Sequence, residues 1–269
     1  MLIDTHAHLN FSAFKDDHEE VIKRCSDTKV GVINVGSEYK TSKRAVEMAE
    51  KYDGLWAVVG LHPIHLGSQD FKDKEEGIDI KSAVEKFEAE KYRELAKNKK
   101  VVAIGEMGLD FFHNDQNKNE QAETFKEGID LAVELDLPVM IHCRKANNEV
   151  IEILEEKKKE YGEKLRGVVH CFSGNLKQAE RYTQLGFMLG FNGIITFARD
   201  YDKVLRNIGI EHMVVETDCP YLTPIPHRGE RNEPAYVRFV AEKIAEIKGV
   251  TLEEIAKATT KNAKSMFRI

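Results

Sequence analysis

The sequence lacks the features that mark several large classes of protein. No apolar run approaches the ~18 residues of a membrane-spanning helix, and the N-terminus has no charged-then-apolar signal segment. Lysine and arginine (40) do not outnumber aspartate and glutamate (46), which leaves a formal net charge of -6. We therefore expect a cytoplasmic protein with no membrane partner and without the broad basic face that clamps duplex nucleic acid.

Cysteine is also scarce, and none of the four cysteines forms a CxxC pair. Cys143, Cys171 and Cys219 each directly follow a histidine or an aspartate. Because neighbouring side chains in a strand face opposite sides, we expect these thiols to point away from whatever the preceding residues bind. They are then small buried residues in a reducing compartment rather than metal ligands or disulfide partners.

Short apolar, β-branched runs alternate with helix-length amphipathic segments. The sequence predicts strands at 2–5, 30–35, 55–60, 101–105, 138–142, 167–170, 187–191 and 212–217. It predicts helices between them at 18–28, 42–52, 82–98, 119–135, 146–160, 176–185 and 200–207. Eight such units favour an α/β fold that closes into a (β/α)8 TIM-like barrel. The rival, an open doubly wound sheet, normally carries a Gly-rich loop after its first strand, where this chain has His-Ala-His.

Two further helices are predicted after the last strand. Pro234 opens the first, and Thr251 and Glu254 form a capping box for the second. No linker interrupts the chain, so we expect residues 1–269 to form a single domain. Residues 63–92 are longer than a strand-to-helix connection requires, which indicates a surface insertion near the active-site rim.

Five of the predicted strands end in residues of the types that bind metals. The residues are His6, His8, Glu106, His142, His170 and Asp218. Barrels of this kind carry their catalytic residues at the C-terminal ends of the strands. Imidazoles and carboxylates without a thiolate suit zinc, manganese, nickel or iron, whereas magnesium, which prefers oxygen ligands, is less favoured.

This ligand set predicts two divalent metal ions. A carboxylate on the fourth strand can bridge two ions, so we assign Glu106 to both. His6, His8 and Asp218 complete one metal site, and His142 and His170 complete the other.

Other residues near the strand ends are candidates for substrate contacts. His62 ends the third strand and is predicted to contact an anionic group or to polarise an oxygen; metal ligation and structural packing are the alternatives. Arg144 could hold a phosphate or form a surface ion pair. Tyr221, Phe111 and Phe112 could stack a base or pack in the rim.

Four more charged residues have two interpretations each. Asp4 and Glu216 could orient ligand histidines from below or serve as paired structural carboxylates. Arg228 and Arg231 lie in the eighth strand-to-helix loop, where barrels often bind phosphate. These arginines would contact substrate or fix the loop.

The chain resembles the TatD-type deoxyribonucleases, which belong to the amidohydrolase-like metal-dependent hydrolases. The matching motifs span nearly the whole sequence: Asp4-Thr5-His6-Ala7-His8-Leu9, Gly60-Leu61-His62-Pro63, Ile104-Gly105-Glu106-Met107-Gly108-Leu109-Asp110, Pro138-Val139-Met140-Ile141-His142-Cys143-Arg144, His170-Cys171-Phe172-Ser173-Gly174 and Glu216-Thr217-Asp218-Cys219-Pro220-Tyr221-Leu222. The resemblance implies a TIM-like barrel, a two-metal site with the six ligands above, and hydrolysis of nucleic-acid phosphodiesters, typically from the 3′ end.

The sequence leaves three hypotheses about function. The first is a deoxyribonuclease in which a two-metal-activated water attacks a phosphodiester, with Asp218, Glu106 and His62 as catalytic residues and single-stranded DNA or 3′ ends as substrate. The second is a metal-dependent amide or ester hydrolase, such as a D-aminoacyl-tRNA deacylase. The third is a non-catalytic binding protein with a structural metal site. No obligate protein partner is evident.

Overall fold

The computed structural model describes residues 1–66, 72–73, 76, 78–79 and 85–269. Its main sheet has eight parallel strands, bonded to one another in sequence order. They are β1 (Leu2–Ala7), β2 (Val30–Val35), β3 (Leu55–Val59), β4 (Val101–Asp110), β5 (Val139–Arg144), β6 (Gly167–Val169), β7 (Phe187–Phe191) and β8 (Met213–Val215).

The first and last strands meet just beyond β8. Ala7 forms a parallel bridge with Cys219. The His8 N–H donates to the Cys219 carbonyl at 2.9 Å, and the Asp218 N–H donates to the His6 carbonyl at 2.8 Å. These bonds confirm the predicted (β/α)8 barrel.

The helices of the described residues follow the strands in the predicted order. They are α1 (His18–Asp27), α2 (Tyr39–Lys51), α3 (Ala89–Leu95), α4 (Lys118–Glu134), α5 (Asn147–Tyr161), α6 (Leu176–Gln184), α7 (Asp202–Asn207), α8 (Val237–Lys248) and α9 (Leu252–Phe267). The predicted capping box of α9 is present: the Glu254 N–H donates to Thr251 Oγ1, and the Thr251 N–H donates to Glu254 Oε2. None of these helices has the length and apolar character needed to cross a bilayer.

Within the described residues, the helix predicted at 82–98 spans only Ala89–Leu95, and residues 82–84 lie outside that part of the chain. Residues 85–88 are not helical, because tertiary contacts engage them instead: the Glu85 N–H donates to the His65 carbonyl, the Glu85 carboxylate accepts the Tyr39 N–H, and Phe87 stacks on Tyr92. The predicted insertion at 63–92 lies partly outside the described residues. Its described parts include a 3-10 turn, Pro63–His65, and two paired antiparallel segments, Lys72–Asp73 and Ile78–Asp79.

Strand β4 is longer than predicted, so Glu106 lies within it rather than at its end. After an irregularity between Gly105 and Met107, pairing with β5 continues to Asp110. Met107 and Leu109 are buried in the layer between strands and helices, which explains why the strand extends through this segment.

The strands separate two apolar cores. Strand residues that include Ile3, Ile33, Val58, Met140, Val168 and Val214 form the smaller one. Residues from the end of α9, Ala263, Met266 and Phe267, belong to the same cluster. The interior of the barrel is thus filled with apolar side chains near α9, and its polar side chains gather at the opposite, C-terminal end of the strands.

Candidate metal centre

The six residues predicted as metal ligands meet at the C-terminal end of the barrel, with Glu106 at their centre. Glu106 Oε2 is 3.2 Å from His6 Nε2. Its Oε1 is 2.8 Å from His142 Nδ1 and 3.4 Å from His170 Nε2. One buried carboxylate therefore contacts imidazoles from three separate parts of the barrel.

His8 and Asp218 lie on the other side of this cluster. His8 Nε2 is 3.2 Å from His6 Nε2 and 3.4 Å from Asp218 Oδ1. Asp218 Oδ1 also lies 3.9 Å from the Nε2 atoms of His6 and His170. All six side chains thus belong to one continuous network of contacts.

Two of these residues lie where strand pairing is irregular. The register of β1 against β2 shifts between Asp4 and Ala7, a segment that contains His6. The register of β4 against β5 shifts between Gly105 and Met107, on either side of Glu106. An extra residue in one strand re-aims the side chains around it, so simple alternation along the chain does not decide which way these two residues point.

A backbone carbonyl fixes the orientation of His8. Its Nδ1 lies 2.9 Å from the Val35 carbonyl oxygen. Because a carbonyl can only accept, Nδ1 must carry the hydrogen, and Nε2 of the neutral ring presents a bare lone pair to the cluster.

A carboxylate is the corresponding partner of His170. Glu216 Oε1 lies 3.0 Å from His170 Nδ1 and accepts the Cys171 N–H at 2.7 Å. Gly190 leaves room for this carboxylate, since a Cβ there would come within 2.2 Å of Glu216 Oε2. Of its two sequence-based interpretations, Glu216 matches the one that places it beside a ligand histidine.

Burial and charge act in opposite directions on this cluster. Burial disfavours the charged form of His142 and His170, yet the surrounding carboxylates raise the pKa of His142 to about 9 and that of His170 to about 10. Burial and the neighbouring His170 lower the pKa of His6. Burial also opposes ionisation of Glu106, but the nearby imidazoles hold the pKa of its carboxyl well below its usual range.

The donor atoms fit divalent metal ions. His6, His8 and Glu106 each offer one ligand atom within 4.8 Å of the others, and so do Glu106, His142 and His170. Glu106 belongs to both groups, as a bridging carboxylate would. The Nε2 atoms of His6 and His8 lie 3.2 Å apart, as two ligand atoms directed toward one ion would.

Comparison with known proteins agrees with this architecture. A model of the TatD-related DNase family matches residues 3–268. The chain belongs to the TatD-related DNase family. It is 43% identical over 272 residues to YabD, an uncharacterized metal-dependent hydrolase of Bacillus subtilis, with 100% of both proteins covered. It is 33% identical to YcfH of Escherichia coli, which carries the same description, with 100% of this chain and 96% of YcfH covered.

A solved structure of a TatD homologue, YjjV of Escherichia coli, superimposes with a TM-score of 0.85 at 31% identity, covering 100% of this chain and 98% of that one. The TatD-family protein of Entamoeba histolytica, at 24% identity and a TM-score of 0.79, shares the fold.

An open cavity of about 480 Å³ lies above the cluster in this TatD-family chain. His62 lines it. The His62 Nδ1 accepts the N–H of Ile64 at 3.0 Å, so the hydrogen of the neutral ring must be on Nε2. That Nε2 lies 3.8 Å from Glu106 Oε1, and burial holds the pKa of His62 well below its ordinary value. His62 is therefore arranged as a neutral hydrogen-bond donor.

Arg144 and Tyr221 also line this cavity of the TatD-family barrel. The Arg144 guanidinium carbon lies 4.1 Å from the ring centroid of Phe112, and Arg144 Nη1 is 3.5 Å from His113 Nε2. Tyr221 stands edge-on to His8, with 6.4 Å between ring centroids. Both predicted substrate contacts are therefore positioned above the cluster.

Sequence reasoning gave no role to Asp110, which the structure places beside His142. Asp110 Oδ2 is 3.0 Å from His142 Nε2 and 2.7 Å from His113 Nδ1. Burial opposes ionisation of Asp110, but both imidazoles lower its pKa. The signal available in the sequence was that Asp110 is an acidic residue in the same TatD-type motif as Glu106, four residues further along the chain.

The prediction that the cysteines point away from the cluster needs a correction at Cys171, which lines the cavity. The Cys143 sulfur instead lies 3.8 Å from the Tyr182 hydroxyl in the larger apolar core, as predicted. The Cys171 sulfur also lies within 4.8 Å of ligand atoms of His170 and Asp218. Strand β6 ends at Val169, and Cys171 has a left-handed backbone with φ of 45°, so the alternation of a strand no longer applies.

The remaining charged candidates separate into structural and rim positions. Asp4 accepts hydrogen bonds from the backbone N–H groups of His6 and Thr217, so it supports the backbone of β1. Arg231 pairs with Asp17 through two hydrogen bonds of 2.9 and 2.6 Å, which fixes the eighth loop. Arg228 instead lies at the rim.

Proposed function

We propose that this protein is a divalent-metal-dependent hydrolase that cleaves phosphodiester bonds of DNA, acting on single strands or 3′ ends. The observation that carries the proposal is the shared position of Glu106 between two groups of ligand-type side chains. An open cavity of about 480 Å³ lies above it, with His62, Arg144 and Tyr221 among its lining residues. Membership of the TatD-related DNase family supports DNA as the substrate.

The side chains suggest a division of roles. Two divalent ions held by the cluster would supply a water deprotonated near neutral pH and would offset phosphate charge. Asp218 is exposed enough at the cavity floor to orient that water and accept its proton. The His62 Nε2–H donates to a phosphate oxygen as negative charge develops there. Arg144, at the rim, holds the phosphate of a neighbouring nucleotide.

Hydrolysis of an ester or amide bond, such as the D-aminoacyl link on tRNA, is the second candidate. The same metal-bound water would serve that reaction. A neutral donor at His62 can polarise a carbonyl oxygen as well as a phosphate oxygen. Arg144 bears on this choice, because hydrolysis of an acyl bond does not require a residue that holds a phosphate beside the scissile bond.

The experiment begins with metal-stripped protein and a labelled single-stranded oligonucleotide. Magnesium, manganese, zinc or cobalt is added back, and products are resolved by length. We expect stepwise shortening from the 3′ end, which Glu106→Gln abolishes. A matched control is Glu163→Gln, which changes a fully exposed carboxylate far from the cluster.

Two outcomes would contradict the proposal. Full activity of Glu106→Gln would remove Glu106 from the chemistry. Protein that binds metal but cleaves no oligonucleotide with any ion would favour acyl-bond hydrolysis, and aminoacyl-tRNA would then be the next substrate to test.

A further inference from the structure

The strongly exposed large apolar side chains of the described residues lie mostly in loops at the C-terminal end of the barrel strands. Only four large apolar residues in this part of the chain are strongly exposed. One is the N-terminal Met1, and the others are Phe112 (51%), Phe197 (38%) and Ile225 (49%), all in loops that follow barrel strands. Single exposed apolar residues need no explanation, but their concentration at one functional rim indicates a binding surface.

Phe197 and Ile225 lie in two different loops that are joined by a hydrogen bond. Phe197 follows β7 and Ile225 follows β8. The Ile225 N–H donates to Thr196 Oγ1 at 3.0 Å, which joins the two loops directly beside both side chains. The Arg228 guanidinium carbon lies 3.9 Å from the centroid of the Phe197 ring. We call Phe197, Ile225 and Arg228 the apolar rim.

Internal hydrogen bonds hold the apolar rim in place without a ligand. In the loop after β7, Thr196 Oγ1 donates to the Gly193 carbonyl at 2.7 Å. In the loop after β8, Thr223 Oγ1 donates to the Glu230 carbonyl at 2.7 Å. A surface that is already ordered loses little conformational freedom on binding.

The two loops that carry the apolar rim also form part of the cavity wall. Ile194, three residues before Phe197, and Leu222, three residues before Ile225, both line the cavity. A polymer that leaves the cavity on the side of these two loops passes this surface.

We propose that the apolar rim stacks a base of a single-stranded nucleic acid, one nucleotide or more from the reacting phosphate. This inference rests on the proposed function. A flat aromatic ring, an aliphatic neighbour and a guanidinium match the three parts of a nucleotide, since the base stacks on Phe197 against Ile225 and Arg228 faces the phosphate. In a chain with net charge -6, such a local cation at the mouth matters for attracting a polyanion.

The test compares Phe197→Leu, which keeps apolar bulk but removes the ring, with Phe197→Tyr, which keeps the ring. KM and kcat are measured on a single-stranded 12-nucleotide substrate and on bis(p-nitrophenyl) phosphate, which is too small to span the cavity and the rim. For Phe197→Leu we expect KM for the oligonucleotide to rise about tenfold, with the tyrosine variant near wild type. The constants for the small ester should change less than twofold.

Two results would overturn the inference: an unchanged oligonucleotide KM in Phe197→Leu, or an equal loss on both substrates, which would indicate a structural role. A separate measurement distinguishes failure of the rim from failure of the proposed function. Anisotropy of a labelled oligonucleotide is recorded with Glu106→Gln protein, alone and combined with Phe197→Leu. If wild-type protein cleaves neither substrate but the oligonucleotide still binds in a Phe197-dependent way, the proposed function fails and the rim assignment stands.

Discussion

The two halves of the candidate metal cluster differ in what orients their histidines. In the half formed by His6, His8 and Asp218, a backbone carbonyl holds the ring of His8. In the half formed by His142 and His170, carboxylates lie against the second ring nitrogens. A carbonyl fixes a tautomer without adding charge, whereas a carboxylate also makes the imidazole more basic.

This difference has consequences for both proton and metal binding. The carboxylate-flanked pair retains protons well above neutral pH when no metal is present, while the pKa of His6 is lowered. We therefore expect metal to compete with protons for the half that contains His142 and His170. We also expect mutation of its carboxylate partners to change the metal affinity of this half.

The largest expected effect comes from the residue that the two halves share. Glu106→Gln should weaken metal binding in both halves by more than about 100-fold, because losing a ligand costs more than losing an outer partner. Titration calorimetry and metal analysis of dialysed protein would measure this. If one ion stays bound with unchanged affinity, Glu106 is a ligand in only one of the two halves.

Next in size are the carboxylates that flank the histidines. Glu216→Gln and Asp110→Asn should each lower metal affinity about 10–100-fold while the fold is retained. The measurement is competition with a metal-sensitive dye, and Glu163→Gln is the control. Wild-type affinity in both variants would mean that these carboxylates do not orient the second half.

The stability of metal-free protein depends on pH with a defined sign. His142 and His170 have folded pKa values of about 9 and about 10, above the ~6.5 of an unfolded histidine. Their contribution to stability is complete below pH ~6.5 and is lost as pH rises through 9 to 10. We therefore expect the free energy of unfolding to fall between pH 7 and 10.

Urea denaturation in the presence of a chelator would measure this decline. His142→Gln should flatten part of the curve, since it removes one of the two titrating rings. A stability that rises with pH over this range in metal-free protein would contradict the assigned charge pairs.

The smallest expected effect concerns the seam, by which we mean the contact between Asp4 of β1 and Thr217 just after β8, beside the half that contains His6 and His8. Thr217 Oγ1 donates to Asp4 Oδ2, and both residues are buried. Thr217→Val should lower the free energy of unfolding by about 1 kcal/mol and leave metal affinity in the second half unchanged. Thermal unfolding and metal titration of the same variant test both statements; a large loss of metal affinity would show that the halves are coupled through the seam.

Much of this protein could be predicted from its sequence. The alternation of short apolar runs with amphipathic segments predicted the eight-stranded barrel. Each spacing of apolar residues is buried by only one kind of element, a strand or a helix. The same reading placed His6, His8, Glu106, His142, His170 and Asp218 at one end, since all C-terminal ends of a parallel barrel lie on the same rim.

Three features were decided only by tertiary structure. Irregular pairing in β1 and β4 sets the positions of His6 and Glu106, and the extension of β4 brings Asp110 to His142. The apolar rim exists because two loops nearly 30 residues apart in sequence bond to each other. Local sequence determines which residues can form strands and which have side chains that can bind metal. The groups that orient those side chains come from other strands, so their identity depends on how the strands pack.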